Sequence, residues 1–265
     1  MSKAQYLALL GALALFLGLY FGFDTKTGKQ KTTEQSRALT AESTSFETLL
    51  SDAKTHLSAD QASKVMELEQ KVEKSASDEE RAAVLKRLSG LWYQFGQIPV
   101  AGGFAEQVAE MERADTAWSV AGATYYEGLV GAQDPVIRRF CADRAVKAFE
   151  SAASLNPQKV DYRVNLALVY AENPPPNNPM QAVMMLRDLE SKHPESPAVY
   201  NALGRLAIKT GQWSRAVERL EKAWSLDKTN PNTPCLLAKA YEGAGYPEKA
   251  NEFAGICNNT RRLTN

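Results

Sequence analysis

The chain has 265 residues, with 31 acidic and 31 basic side chains and a formal net charge of +0. That balance excludes a general nucleic-acid binder, which needs a basic face, while 44% hydrophobic residues are enough to bury a proper core. Three scattered cysteines, an odd number without framework spacing, point to a reducing compartment.

Residues 1–24 form the first unit. Tyr6 to Phe23 is a run of 18 residues without a charge, long enough to cross a bilayer. The bulky stretch Leu19-Tyr20-Phe21-Gly22-Phe23 offers no small-x-small cleavage site, so the run is expected to remain as a single transmembrane signal anchor in contact with lipid. Gly18-x3-Gly22 within it is read as packing tolerance. Lys26, Lys29, Lys31 and Arg37 outnumber Lys3 before the span, which favours a cytoplasmic remainder. A short N-terminal tail that stays inside would instead place the remainder across the membrane, and both sides stay open. Residues 25–40 are rich in Lys, Thr and Gln and read as a polar tether.

Residues 41–114 read as helical hairpins. Thr44-x-x-Glu47, Ser58-x-x-Gln61 and Ser77-x-x-Glu80 match the capping box that satisfies free amides at a helix start. Apolar residues follow each at helical spacing, the last set being Val84, Leu85, Leu88, Leu91, Trp92 and Phe95. Gly102-Gly103 beside Pro99 reads as an inter-helix turn. No column of small residues is evident here, so these hairpins are expected to pack onto the units that follow, or to include a degenerate repeat around Leu88 to Phe104.

From residue 115 the chain repeats. Tyr200-x2-Leu203-Gly204-x2-Ala207, Gly211, then Ala216-x3-Leu220-x2-Ala223 predicts two antiparallel helices joined by a short turn. Two columns of small residues recur, Gly122, Ala167, Gly204 and Ala238 in the first helices and Ala145, Ala182, Ala216 and Ala250 in the second. Close approach of two helix backbones requires a side chain this small at the contact, and Trp118, Tyr125, Phe149, Tyr170, Tyr200, Leu220 and Tyr241 fill the space between. This pattern resembles the tetratricopeptide repeat (TPR), whose period is about 34 residues. The divisions are 115–157, 158–196, 197–230 and 231–258, with a tail at 259–265. The first two repeats carry about 11 and 3 extra residues over that period, expected as loop insertions, and Asn173-Pro-Pro-Pro-Asn-Asn-Pro179 reads as a stiff polyproline-like turn.

The resemblance implies an all-α, right-handed α-α superhelix preceded by one transmembrane helix, in a bacterial inner membrane, acting as a scaffold for other proteins. In that family the first helix of each hairpin lines a concave groove. Carried over residue by residue, the groove positions are Ser119, Ala123 and Tyr126; Val164, Asn165, Leu168 and Glu172; Asn201, Arg205 and Ile208; and Cys235, Lys239 and Glu242. Asn201, Arg205 and Lys209 stand four apart on one stripe, a pattern suited to an acidic side chain or the C-terminal carboxylate of an extended partner. A different reading is an extracytoplasmic accessory that holds clients for export or maturation, similar to anchored TPR proteins of cytochrome c biogenesis. No phosphate loop, Cys-x2-Cys pair or nucleophile elbow occurs, so neither catalysis nor a cofactor is expected. Cys235 and Cys257 fall on the two helices of the last repeat. Few residues follow Cys257, so Phe253 and Ile256 are expected either to be self-capped or to dock on a second copy of the chain as a homodimer surface.

Overall fold

The computed structural model describes Gln5 and residues 44–264. The Tyr6–Phe23 anchor and the polar tether lie outside the described residues. The chain divides into two compact units, the second running from Phe46 onward.

Its described residues hold twelve helices and no strand: α1 Phe46–Thr55, α2 Ala59–Lys74, α3 Asp78–Gln94, α4 Ile98–Glu112, α5 Asp115–Gly131, α6 Pro135–Leu155, α7 Val160–Glu172, α8 Gln181–Lys192, α9 Pro197–Lys209, α10 Trp213–Leu226, α11 Thr233–Gly243 and α12 Pro247–Thr264. Among the described residues no helix is long and apolar enough to cross a membrane. From α2 on, each helix packs on its neighbour in sequence, and the first helices α5, α7, α9 and α11 also touch one another in turn. The unit is an all-α, TPR-like stack of helical hairpins.

Local chemistry places the helix ends. Ser58 and Gln61 complete a reciprocal capping box at α2. Ser77 accepts from the Glu80 amide at 3.1 Å, but the Glu80 carboxylate accepts from Ala76, one residue earlier than a capping box would have it. Asp134 accepts from the Val136 amide at 2.7 Å, with Pro135 already set for the first helical turn.

The small columns do what close packing requires. A Cβ on Gly122 would stand 2.9 Å from the Phe149 ring, and one on Gly204 would stand 2.5 Å from Leu220 Cγ. Ala145, Ala167 and Ala216 are fully buried and Ala182 nearly so, whereas Ala238 and Ala250 in the last hairpin are only half-buried.

The α3–α4 hairpin is built on the same plan, which corrects the reading of 41–114 as lacking small columns. Gly96, Gly211 and Gly245 turn the chain with φ of 74°, 69° and 80°, a region only glycine enters freely. All three turns carry the same two hydrogen bonds, Gly96 to Tyr93 and Gln97 to Trp92, Gly211 to Ile208 and Gln212 to Ala207, Gly245 to Glu242 and Tyr246 to Tyr241. Counting back from the turn glycine puts Ser89 at the place of Gly204, and counting forward puts Ala101 at the place of Ala216. Ala101 is fully buried, and Ser89 Oγ donates to its carbonyl at 2.9 Å. Gly102 and Gly103 are not a turn. They lie inside α4, where a Cβ on Gly102 would come within 2.6 Å of Tyr125 and one on Gly103 would overlap Phe46.

Two insertions also differ from expectation. α5 and α6 have 17 and 21 residues against 13 and 14 for α9 and α10. The first insertion is therefore taken up as helix length and not as a projecting loop, with three residues left between α5 and α6. Arg138, in the lengthened start of α6, donates to the Leu129 and Ala132 carbonyls and closes the end of α5. The proline stretch before α8 folds into turns, Asn178 donating to Pro175 and Gln181 to Asn178, so it is not extended polyproline.

Charges tie successive hairpins in one direction. Glu106 and Glu110 of α4 meet Arg144 and Lys147 of α6, Glu172 of α7 meets Lys209 of α9, Glu190 of α8 meets Arg219 of α10, and Glu221 of α10 meets Lys249 of α12. In each of these pairs the acid precedes and the base follows. At the register of Glu221 and Glu190 the outermost helix α12 has Gly255 and Asn258, so the ladder ends there. Phe253 packs between Trp224, at 6.0 Å, and Tyr241, at 5.6 Å, while Glu248, Asn251, Glu252, Asn258 and Asn259 face solvent. The last helix caps its own stack. Phe253 and Ile256, the residues expected to be self-capped or to dock on a second copy, are both half-buried, and α12 continues to Thr264.

Two of the three cysteines are paired. Cys235 of α11 and Cys257 of α12 form a disulfide with Cα atoms 4.9 Å apart, and Cys141 is a buried free thiol. Desolvation pushes the Cys141 thiol up to about 12.

Two outcomes follow. Gly204→Ala should lower stability by about 1–3 kcal/mol through overpacking against Leu220, while Gly255→Ala, open on α12, should raise it by about 0.5–1 kcal/mol; denaturant unfolding of both variants reads the contrast. Alkylation with mass analysis should find no reactive thiol in the native protein, one after denaturation and three after denaturation with reductant.

Candidate functional site

The first helices bring Ala123, Leu168, Arg205 and Lys239 to one register position, each directly after a small-column residue. What this face offers a partner depends on which polar groups the fold has already used.

Arg205, on α9, is exposed, and its Nη2 donates to the Tyr126 hydroxyl of α5 at 3.2 Å while the guanidinium lies 5.9 Å from the ring centre. The contact passes over α7, which stands between those two helices in the stack. Two side chains can meet across that gap only if the face curves inward, so this is the inner side of the stack. Tyr126 is half-buried. Burial pushes its hydroxyl above the ordinary value, with Arg205 opposing the shift, so the phenol stays protonated and the oxygen serves as acceptor.

Lys209 does not join Arg205. Its ammonium donates to the Ala171 carbonyl at 2.8 Å and pairs with Glu172 at 2.7 Å, closing the end of α7. Its charge is spent inside the protein. Asn201 is likewise not on the open stripe. It is 9% exposed, and its Oδ1 accepts from Thr233 Oγ1 of α11 at 3.0 Å, which makes it a tie between the last two hairpins. Its Nδ2 is buried without a hydrogen-bond partner. Val164 and Ile208 are buried in the stack, Cys235 is held in the disulfide, and Leu168 is half-buried against the core between α7, α8 and α9. Asn165 is half-buried, and Lys239 and Glu242 are exposed. Of the expected residues, then, Tyr126 and Arg205 meet directly, Lys239 and Glu242 stand open one hairpin further on, and Asn201 and Lys209 serve the fold.

A second polar cluster escaped sequence reading. The Glu106 carboxylate, 5% exposed, accepts from the Tyr125 hydroxyl at 2.9 Å, from Arg144 at 3.1 Å and from Lys147 at 2.7 Å. Desolvation, with the Glu106 charge second, holds the Tyr125 hydroxyl far above its usual value. The only sign in the sequence was one acid inside the run Ile98 to Val108. It locks α4, α5 and α6 together and holds no groove position. A shallow hollow of about 480 Å³ lies near it, against Arg113, Trp118, Lys147 and Leu155. Among the described residues no cluster of three His, Cys, Asp or Glu could hold a metal ion.

No protein-family model and no curated protein matches the chain. Among solved structures it is similar to a crystal structure of MamA protein at 15% identity, over 68% of this chain and 92% of that one, with a TM-score of 0.40. MamA 41-end from Desulfovibrio magneticus RS-1 gives 17%, 69%, 96% and 0.40, and MamA MSR-1 C2 gives 18%, 70%, 99% and 0.36.

Replacing Arg144 and Lys147 together by Met strands the Glu106 charge in the core. The expected loss is about 3–5 kcal/mol, the cost of breaking a buried pair from one side; Glu106→Gln, which strands no charge there, should cost less in the same denaturant unfolding measurement.

Proposed function

We propose that the chain is a scaffold that binds a segment of another protein along the inner face of its first helices and does no chemistry of its own. The observation that carries this reading is the matched placement of Arg205 and Lys239. Both are exposed cations at the same register of neighbouring first helices, and among the described residues neither is paired with a carboxylate. Val120, Ala123 and Val130 expose apolar surface on α5. The partner is therefore a chain with apolar side chains toward α5 and carboxylates toward α9 and α11, with arginine able to take a carboxylate through two parallel hydrogen bonds.

The Tyr6–Phe23 run anchors the scaffold in the bacterial inner membrane as a single pass, which confines partners and raises their effective concentration. The Cys235–Cys257 disulfide supports placing the hairpin stack on the oxidising side of that membrane, since such bonds form and persist there and are rare in the cytosol. It thereby favours the second reading, an extracytoplasmic accessory that holds clients for export or maturation, as the form the scaffold takes.

Affinity purification of the full chain in mild detergent should recover partner proteins from wild type, and the double variant Arg205→Glu with Lys239→Glu should lose them at unchanged helicity. An unchanged set of partners rejects the groove. A phosphatase reporter fused at the C-terminus should be active outside the cytoplasm, and an inactive, stably made fusion rejects the membrane side.

A further inference from the structure

Arg205 and Lys209 stand one helical turn apart on α9, and the fold treats them differently. Lys209 is bound to a carboxylate, Glu172, and to the end of α7. Arg205 is bound to a neutral hydroxyl and a ring face, both from Tyr126. A guanidinium carries five N–H donors, and Arg205 uses one of them, at Nη2, among the described residues. A hydrogen bond to a carboxylate is about twice as strong as one to a neutral oxygen, and the flat fork of arginine makes two at once. A carboxylate held between Arg205 and Lys239 of α11 draws the guanidinium away from Tyr126, which lies on the opposite side beyond α7, while at Lys209 it gains nothing. The contact that would be given up joins the hairpin of α5 and α6 to that of α9 and α10, passing over α7.

Building on the groove reading above, we propose that the Arg205–Tyr126 contact is a displaceable bridge across the inner face: a partner carboxylate takes Arg205, Tyr126 is released, and the two hairpins it joined are free to part. Occupancy of the groove and curvature of the stack are then coupled. Lys239, one hairpin on at the same register, supplies a second positive charge toward the same partner.

The test uses the full chain in mild detergent with spin labels at Gln133→Cys just beyond α5 and Thr210→Cys just beyond α9, both exposed, and a peptide array as probe. One arm of the array carries decamers with internal Asp or Glu and an amidated end, and the other carries a free C-terminal carboxylate alone. The label distance should lengthen or broaden on adding a bound peptide, and equally in the Arg205→Met variant without peptide. Tyr126→Phe keeps the ring and removes the acceptor, so it should tighten peptide binding roughly threefold to tenfold, the range of one ordinary hydrogen bond, while Arg205→Met loses binding. Binding that Tyr126→Phe leaves unchanged or weakens overturns the bridge and leaves the groove standing. A label distance indifferent to Arg205→Met also overturns it. If no carboxylate peptide in either arm binds wild type, the displacement is rejected together with the acidic partner.

Discussion

Every feature of this protein that is oriented, repeated or exposed depends on the distance at which two helix backbones meet. Where Gly204 faces Leu220 or Gly122 faces Phe149, no room remains for even a methyl group without displacing the larger residue. That contact sets the spacing within a hairpin, and the spacing decides which residues of the first helix are left over for the inner face. Helix packing of this kind is discrete, because side chains interdigitate at near-crystal density and tolerate neither a void nor an extra carbon. The same constraint explains why the α3–α4 hairpin belongs to the stack although its column holds serine. Ser89 is small enough, and its hydroxyl finds the Ala101 carbonyl.

On that frame the charges are arranged with a direction. Acids of one hairpin meet bases of the next at four places along the stack, and the series stops where α12 carries Gly255 and Asn258. Pairs of this sort add modest energy when exposed. Their consequence is order, since a helix added in reverse would meet like charge. Only the Glu106 cluster is deep enough to weigh on stability as well, because its carboxylate is held among three donors out of water.

The inner face is what remains after the fold has taken its share. The sequence presents Asn201, Arg205 and Lys209 as equals on one stripe, and at the level of a single helix they are. They part only when the neighbouring helices arrive. Thr233 covers Asn201, the end of α7 and Glu172 claim Lys209, and Tyr126 reaches Arg205. Helical spacing says which residues share a face, yet it contains no record of what stands opposite. The disulfide was hidden in the same way, because two cysteines 22 residues apart on successive helices pair or not according to the angle at which those helices cross.

The sequence by itself determined the helices, their pairing and the places where they touch. Those properties follow from short-range rules: a turn glycine, a capping side chain, and a small residue every helical repeat. It also carried the α3–α4 hairpin, the degenerate repeat expected around Leu88 to Phe104, for Gly96 and Ala101 keep the spacing of Gly211 and Ala216. Tertiary structure alone decided that the first insertion becomes longer helices, that α12 closes its own stack, and which groove cations are left without a carboxylate. Each of those depends on groups far apart in the chain meeting within hydrogen-bond or van der Waals reach, and such meetings are set by the curvature of the whole stack.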